Sequence, residues 1–273
     1  MAIPHYRIYE VLKQGTNNEQ VIGLQRALPL WASEGNPLIP DGVFGSRTTS
    51  AVKNFQSAMH LTSDGVVGKA TGVALRLWAD IEKGFDASHY NNISWDNIDT
   101  NVYKFVTLKA TEGATYTDPK FNQYATAALS KGLDLSVYHY TKFKNSPEKE
   151  VENLDRSTKP FSDKIQTYFL DLEERDTTLT SAQIFEWVAS FLKLATERFG
   201  IQRVGVYTSA NYLKEKNLQG YQELSAYTLW AADWNRQPLV SPWTTWDTWQ
   251  YTSQGSVSWC SGPLDLNVRC VKI

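Results

Sequence analysis

From Gly84 onward the chain alternates short β-rich apolar runs with helical stretches, and this alternation limits its folding options most. The runs are Gly84–Ser88, Phe105–Ala110, Leu135–Tyr140, Thr167–Leu172, Val204–Tyr207, Thr228–Ala232, Thr248–Tyr251 and Leu264–Val268. Helical periodicity falls between the early ones, at Pro119–Lys131, Pro147–Ser157, Ser181–Phe199 and Ala210–Lys216. The clearest stripe is Ile184, Trp187, Val188, Phe191, Leu192 and Ala195, broad enough to cover one face of a sheet. Strands separated by helices predict a parallel sheet, and eight of them predict closure into a barrel. After Thr228 the gaps hold Trp, Gly, Ser and Pro without a helical stripe, so regularity is expected to fail at the end. The predicted class is α/β, an irregular (β/α) barrel of eight strands with helices mainly in its first five units.

A different texture precedes the barrel. Asp41-Gly-Val-Phe-Gly45-Ser-Arg-Thr48 returns as Asp64-Gly-Val-Val-Gly68-Lys-Ala-Thr71. Asp-Gly marks a turn whose glycine takes positive φ. A helical pattern follows each copy, through Ala51, Val52, Phe55 and Met59 and then through Ala74, Leu75 and Trp78. An earlier helix, capped by Asn17 or Asn18, presents Val21, Leu24, Leu28 and Trp31 on one side. A small three-helix all-α domain over residues 1–79, a linker at 80–83 and a barrel over 84–273 suit a chain of 273 residues.

The chemistry is concentrated in Tyr168-Phe-Leu-Asp171-Leu-Glu173-Glu174. On a strand, Asp171 and Glu173 would share a face with Cα atoms roughly 6.6 Å apart. Two acids side by side on a buried strand are costly, and paired carboxyls are what sugar-bond cleavage uses. Asp86 and Asp265 end two other predicted strands, and alternation turns Asp265 and Asn267 inward, away from Leu264, Leu266 and Val268. Like charges about 5 Å apart repel by roughly 3 kcal/mol at an effective dielectric of ~20, enough to keep one carboxyl protonated near neutral pH. Tyr138 and Tyr140 share a face, whereas His139 alternates away as a packed histidine and Glu174 turns from the face of Glu173 as a loop or rim charge. Trp234 is expected as a rim platform and Trp230 as core; Lys109 and Glu112 are either a mouth ion pair or substrate contacts, and His89 is left open.

A formal net charge of −2 argues against a nucleic-acid partner. Neither metal-ligand spacing nor a cofactor motif occurs, with His5 and His60 isolated, so no metal or cofactor is expected and a zinc amidase is disfavoured. The N-terminus lacks a secretory h-region, and no apolar run reaches membrane-spanning length, so cytoplasmic synthesis without membrane insertion is expected. Cys260 and Cys270 are then read as reduced thiols.

The N-terminal repeat resembles the three-helix peptidoglycan-binding domain found beside many wall hydrolases. Val21-Ile-Gly-Leu-Gln25-Arg-Ala-Leu28, Ala51-Val-Lys-Asn-Phe-Gln56 and the two Asp-Gly units carry this likeness. The remainder resembles glycoside hydrolase family 25, the lysozymes that cleave between N-acetylmuramic acid and N-acetylglucosamine. The matching motifs include Phe85-Asp-Ala-Ser88, Lys109-Ala-Thr-Glu112, Tyr138-His-Tyr140, Asp171-Leu-Glu173, Val206-Tyr207-Thr208, Trp249-Gln-Tyr251 and Asp265-Leu-Asn267.

The resemblance implies Glu173 as general acid, Asp171 steadying the substrate's N-acetyl group in a retaining, substrate-assisted route, and Asp86 and Asp265 orienting both. It also implies substrate contacts from Tyr138, Tyr140, Tyr207, Trp234, Gln250, Lys109 and Glu112. Bacterial peptidoglycan is the implied partner and a monomer the expected state. By analogy, a bacteriophage endolysin made in the host cytoplasm and released through a holin-type pore fits this arrangement. The alternatives are a wall-binding protein with a silent barrel, or another peptidoglycan- or chitin-type glycosidase.

Overall fold

The structure, a computed structural model, describes residues 11–28, 31–32, 38–59, 61–68, 70–72, 75, 81–234, 240–243 and 246–270. The chain divides into two compact units, one running to Ile81 and the other spanning Glu82–Arg269.

In the first unit, α1 (Glu19–Ala27) starts where the Asn18 side chain accepts from the Gln20 and Val21 backbone N–H groups at 3.0 and 3.2 Å. Its buried face, Val21, Leu24 and then Leu28, packs into a core with Ala51, Val52 and Phe55 of α2 (Ser46–Ala58). Trp31 meets Phe55 edge-on. Gly42 and Gly65 take φ of +80° and +77°, as the repeated turns require. The third predicted helix begins at residues 70–72 and buries Leu75, whereas Ala74 and Trp78 lie outside the described residues, as do His5 and His60.

All eight predicted strands form, as β1 (Ile81–Ala87), β3 (Tyr103–Glu112), β5 (Asp134–Tyr140), β6 (Ile165–Asp171), β7 (Val204–Thr208), β8 (Thr228–Ala232), β9 (Thr248–Gly255) and β11 (Leu264–Cys270). Residues 81–83, expected as linker, are the first residues of β1. Three two-residue strands were not foreseen: β2 (Asn92–Ile93), β4 (Tyr116–Thr117) and β10 (Cys260–Ser261). The long strands run in the order β1-β11-β9-β8-β7-β6-β5-β3, and β3 pairs back onto β1, closing the barrel. Pairing is parallel from β1 through β3 to β9, while β11 is antiparallel to β9.

Four α-helices cover the outside: α3 (Phe121–Ser130), α4 (Pro147–Thr158), α5 (Ser181–Phe199) and α6 (Ala210–Glu215). The first crossover carries no α-helix, only β2 and a 3-10 turn, Trp95–Asn97. A capping box between Thr180 and Gln183 starts α5, whose stripe is buried as predicted. Among the described residues no helix is long and apolar enough to cross a membrane.

Inside the barrel, Phe169, Tyr207 and Trp230 form a buried cluster against which Tyr138 packs. Gly205 makes room for it, because a Cβ there would meet the Phe169 ring at 2.5 Å. Gly205→Ala is therefore expected to destabilise the fold by about 1–3 kcal/mol, measured by denaturant unfolding.

Candidate active site

Strand register aligns the interior side chains in rows. Glu112 of β3 lies across from Tyr140, Tyr140 from Asp171, Asp171 from Tyr207, and Tyr207 from Trp230. One residue pair deeper runs Lys109, Tyr138, Phe169 and Gly205. A register shift between Lys109 and Thr111 explains how Lys109 and Glu112 come together. Strict alternation would send them to opposite faces, but the bulge re-aims the strand and they form an ion pair at 2.7 Å.

Asp86 is 5% exposed, and its Oδ2 accepts from Asn267 Nδ2 at 2.7 Å and from Gln250 Nε2 at 3.0 Å. Tyr207 and Trp234 each donate to Gln250 Oε1 at 3.1 Å, and Trp230 Nε1 donates to Asn267 Oδ1 at 2.8 Å. One hydrogen-bonded chain therefore links a rim tryptophan, 57% exposed, to the carboxyl at the end of β1.

Asp265 reaches the same end differently from the expectation. It stands near the start of β11, not its C-terminal end, and joins the others because β11 runs antiparallel to β9. Asp86 and Asp265 lie close enough at this end to act on each other's ionisation. Burial, then the charge of Asp265, pushes Asp86 well above the ordinary carboxyl range. Burial also raises Asp265, against the hydrogen bond from Asp86, which lowers it.

Asp171 closes β6 and is equally buried; among the described residues its Oδ1 has no hydrogen-bond partner. Burial, then the charge of Glu173, pushes it well above its usual value. Glu173 lies just beyond the strand end. Burial raises it, Arg175 works against this, and Asp265 raises it further. Burial is the first cause of the rise in all four acids, and in Asp86, Asp171 and Glu173 neighbouring acids add repulsion, the cause on which the sequence expectation of a retained proton rested.

At the other side of the mouth, the Tyr140 ring lies between Lys109 and Lys142, each 5.1 Å from its centroid. Lys142 also pairs with Glu112 at 3.3 Å and with Glu174 at 3.6 Å. Burial would raise Glu112, but the two lysines outweigh it and hold the carboxylate below its ordinary range.

Residues 85–259 match the family described as glycosyl hydrolases family 25, and residues 17–75 match a peptidoglycan binding domain. The chain belongs to glycosyl hydrolase family 25. It is 30% identical to the uncharacterized protein YegX of Escherichia coli over 192 residues, covering 68% of each chain. To lysozyme M1 of Streptomyces globisporus it is 27% identical, covering 68% of this chain and 66% of that one. The catalytic domain of endolysin ply40, from bacteriophage P40 of Listeria monocytogenes, shares the fold at a TM-score of 0.59 and 22% identity, covering 70% of this chain and 93% of that domain. The protein is accordingly a glycoside hydrolase of the lysozyme family, directed at peptidoglycan.

Within this family 25 barrel several positions differ from the sequence expectation. Glu174, read as a loop or rim charge, lies in the loop after β6 but is buried, and its Oε1 accepts from the Asp176 backbone N–H at 2.7 Å in a tight turn. Tyr138 lies in the deeper row, partly buried and edge-on to Trp230 at 5.9 Å. His139 is packed as expected, between Thr111 and Glu150 at 2.7 and 2.8 Å and stacked on Phe191.

His89, left open by the sequence, is held by Asp118 at 2.8 Å and lies with its ring tilted against the exposed Tyr90. Sequence reasoning missed Lys142, Arg175 and Asp118, since a lone charge in a loop carries no periodic signal. Cys260 is a free buried thiol, while the Cys270 side chain lies outside the described residues.

Proposed function

We propose that this enzyme hydrolyses the β-1,4 bond between N-acetylmuramic acid and N-acetylglucosamine, with retention and with assistance from the substrate's own acetamido group. The observation that carries this is the unpartnered Oδ1 of Asp171, buried at the end of β6 beside Glu173. An unsatisfied buried acceptor costs about 1–3 kcal/mol, a cost that makes sense where a substrate N–H is to bind it. In this mechanism Asp171 accepts the acetamido N–H and aligns the carbonyl oxygen for attack on the anomeric carbon. Glu173, kept protonated by burial, gives its proton to the leaving oxygen. It then takes a proton from the water that opens the cyclic intermediate. Asp86 and Asp265 orient the pair by hydrogen bonding and by their charge.

Tyr140, Tyr207, Trp234 and Gln250 bound the sugar groove, Tyr138 supports it from below, and Lys109 with Glu112 closes one end. All four acids come from one chain, which supports a monomeric enzyme. The pairing of a wall-binding domain with this barrel supports an endolysin role, with cytoplasmic synthesis and release through a pore formed by another protein.

Mass spectrometry of digested sacculi tests the bond assignment. New reducing ends on muramic acid are expected; reducing N-acetylglucosamine ends or freed peptides would reject it.

A further inference from the structure

The two Asp-Gly repeats of the N-terminal unit serve as each other's control. Gln25 Nε2 donates to Asp41 Oδ1, Val43 O and Thr48 Oγ1 at 2.8, 3.0 and 3.2 Å, and Gln25 Oε1 accepts from Gly42 N–H at 3.0 Å. Gln56 repeats every bond, to Asp64 Oδ1, Val66 O and Thr71 Oγ1 at 2.8, 2.9 and 3.1 Å, and from Gly65 N–H at 2.8 Å. In both, the Asp carboxylate is held below its ordinary range, first by the backbone N–H two residues on and then by the glutamine.

Against this shared scaffold the charges are placed differently, and two residues before the threonine stands Ser46 in the first repeat and Lys69 in the second. Three residues before the glutamine stands Ile22 in the first repeat and Lys53 in the second; one residue before the threonine stands Arg47 in the first and Ala70 in the second. Ile22 covers Gly42, and the Lys53 stem covers Gly65 from the same direction. Arg47 acts on Asp41, and Lys53 acts on Asp64. The second repeat thus keeps a cation on the helix side of its turn and carries only a methyl group at Ala70. A cavity of about 430 Å³ lies there, bounded by Leu61, Thr62, Asp64, Val66, Ala70 and Thr71.

We propose that this cavity is where the N-terminal domain takes the stem peptide of peptidoglycan, a deepening that rests on the peptidoglycan function proposed above. Its volume is in the range of about 300–1,000 Å³ that small ligands occupy. Leu61, Val66 and Ala70 suit the methyl groups of alanyl residues. Among the described residues, both scaffold bonds to Asp64 fall on Oδ1, so this exposed carboxylate has a second oxygen for an amide N–H or an ammonium group. Among the described residues the lining is aliphatic and polar, which suits a peptide better than the face of a sugar ring. The ligand's amine takes the place that Arg47 occupies beside Asp41.

The test uses the full chain carrying Glu173→Gln, so that sacculi are bound without being digested. Adding Ala70→Arg restores the first repeat's cation and fills the cavity. It is expected to weaken binding to intact sacculi by about tenfold, the scale of one lost charged hydrogen bond. The Glu173→Gln chain alone should lose a similar factor on sacculi stripped of peptides by an amidase. Unchanged binding in either comparison would overturn the assignment. If Ala70→Arg fails to fold by circular dichroism, Thr62→Glu at the exposed cavity rim serves instead, with the same expected loss. Digestion of sacculi by the wild-type chain separates the two levels: wild-type digestion with indifferent binding sinks only this proposal, and no digestion sinks the function on which it rests.

Discussion

Glu173→Gln is expected to fold as the wild type does and to lose about 10²–10⁴-fold in turnover, the usual worth of general acid catalysis. Glutamine keeps the size and the hydrogen-bonding shape of the side chain but has no proton to give. The residue stands beyond the end of β6, outside the strand ladder, so the substitution removes no backbone pairing. Steady-state hydrolysis of sacculi, with a thermal melt as folding control, measures both halves.

The wild-type pH profile carries the same information. Burial raises Glu173 above its reference value of 4.5, so the acid stays protonated past the ordinary glutamate range. Activity should fall as pH rises through that elevated value. The fall belongs to the coupled acids and not to one residue.

Asp171→Asn should separate activity from stability. Turnover is expected to drop by about 10²–10³-fold, the cost of removing one preorganised electrostatic partner of the transition state. Stability should move the other way. Burial, then the charge of Glu173, raises Asp171 in the folded state, so the folded protein binds its proton more tightly than the unfolded chain. That stabilisation is fully present below the unfolded value, near 3.8, and is lost as pH rises through the higher folded value. Asparagine carries no such dependence. The variant's advantage in melting temperature over the wild type should therefore be smallest near pH 3 and widen towards neutrality.

Much of this was legible from residue pattern alone. Thr228–Ala232 and Ser181–Phe199 have the predicted bounds, because apolar periodicity and a capping box leave little freedom. Asp171 and Asn267 point inward as alternation requires. What the pattern missed has specific causes. The bulge between Lys109 and Thr111 adds one residue to a strand, which period-two counting cannot see, so the Lys109–Glu112 pair was left undecided. The reversal of β11 is a matter of topology, and it alone explains how an acid at a strand's beginning joins acids at strand ends. Glu174 is buried because the chain turns sharply after β6, where alternation no longer applies. The dominance of burial over repulsion depends on how tightly Tyr138, Tyr207 and Trp230 fill the space beneath the acids.

The central claim is that a closed barrel mouth keeps protons on acids that would ordinarily lose them. Carboxyl-carbon NMR titration of the wild-type chain, labelled at aspartate and glutamate, reads this directly. Asp86 and Asp171 should titrate well above 3.8, and Glu173 above 4.5, with mutually dependent curves. Independent titration of all of them at ordinary carboxylate values would contradict the account.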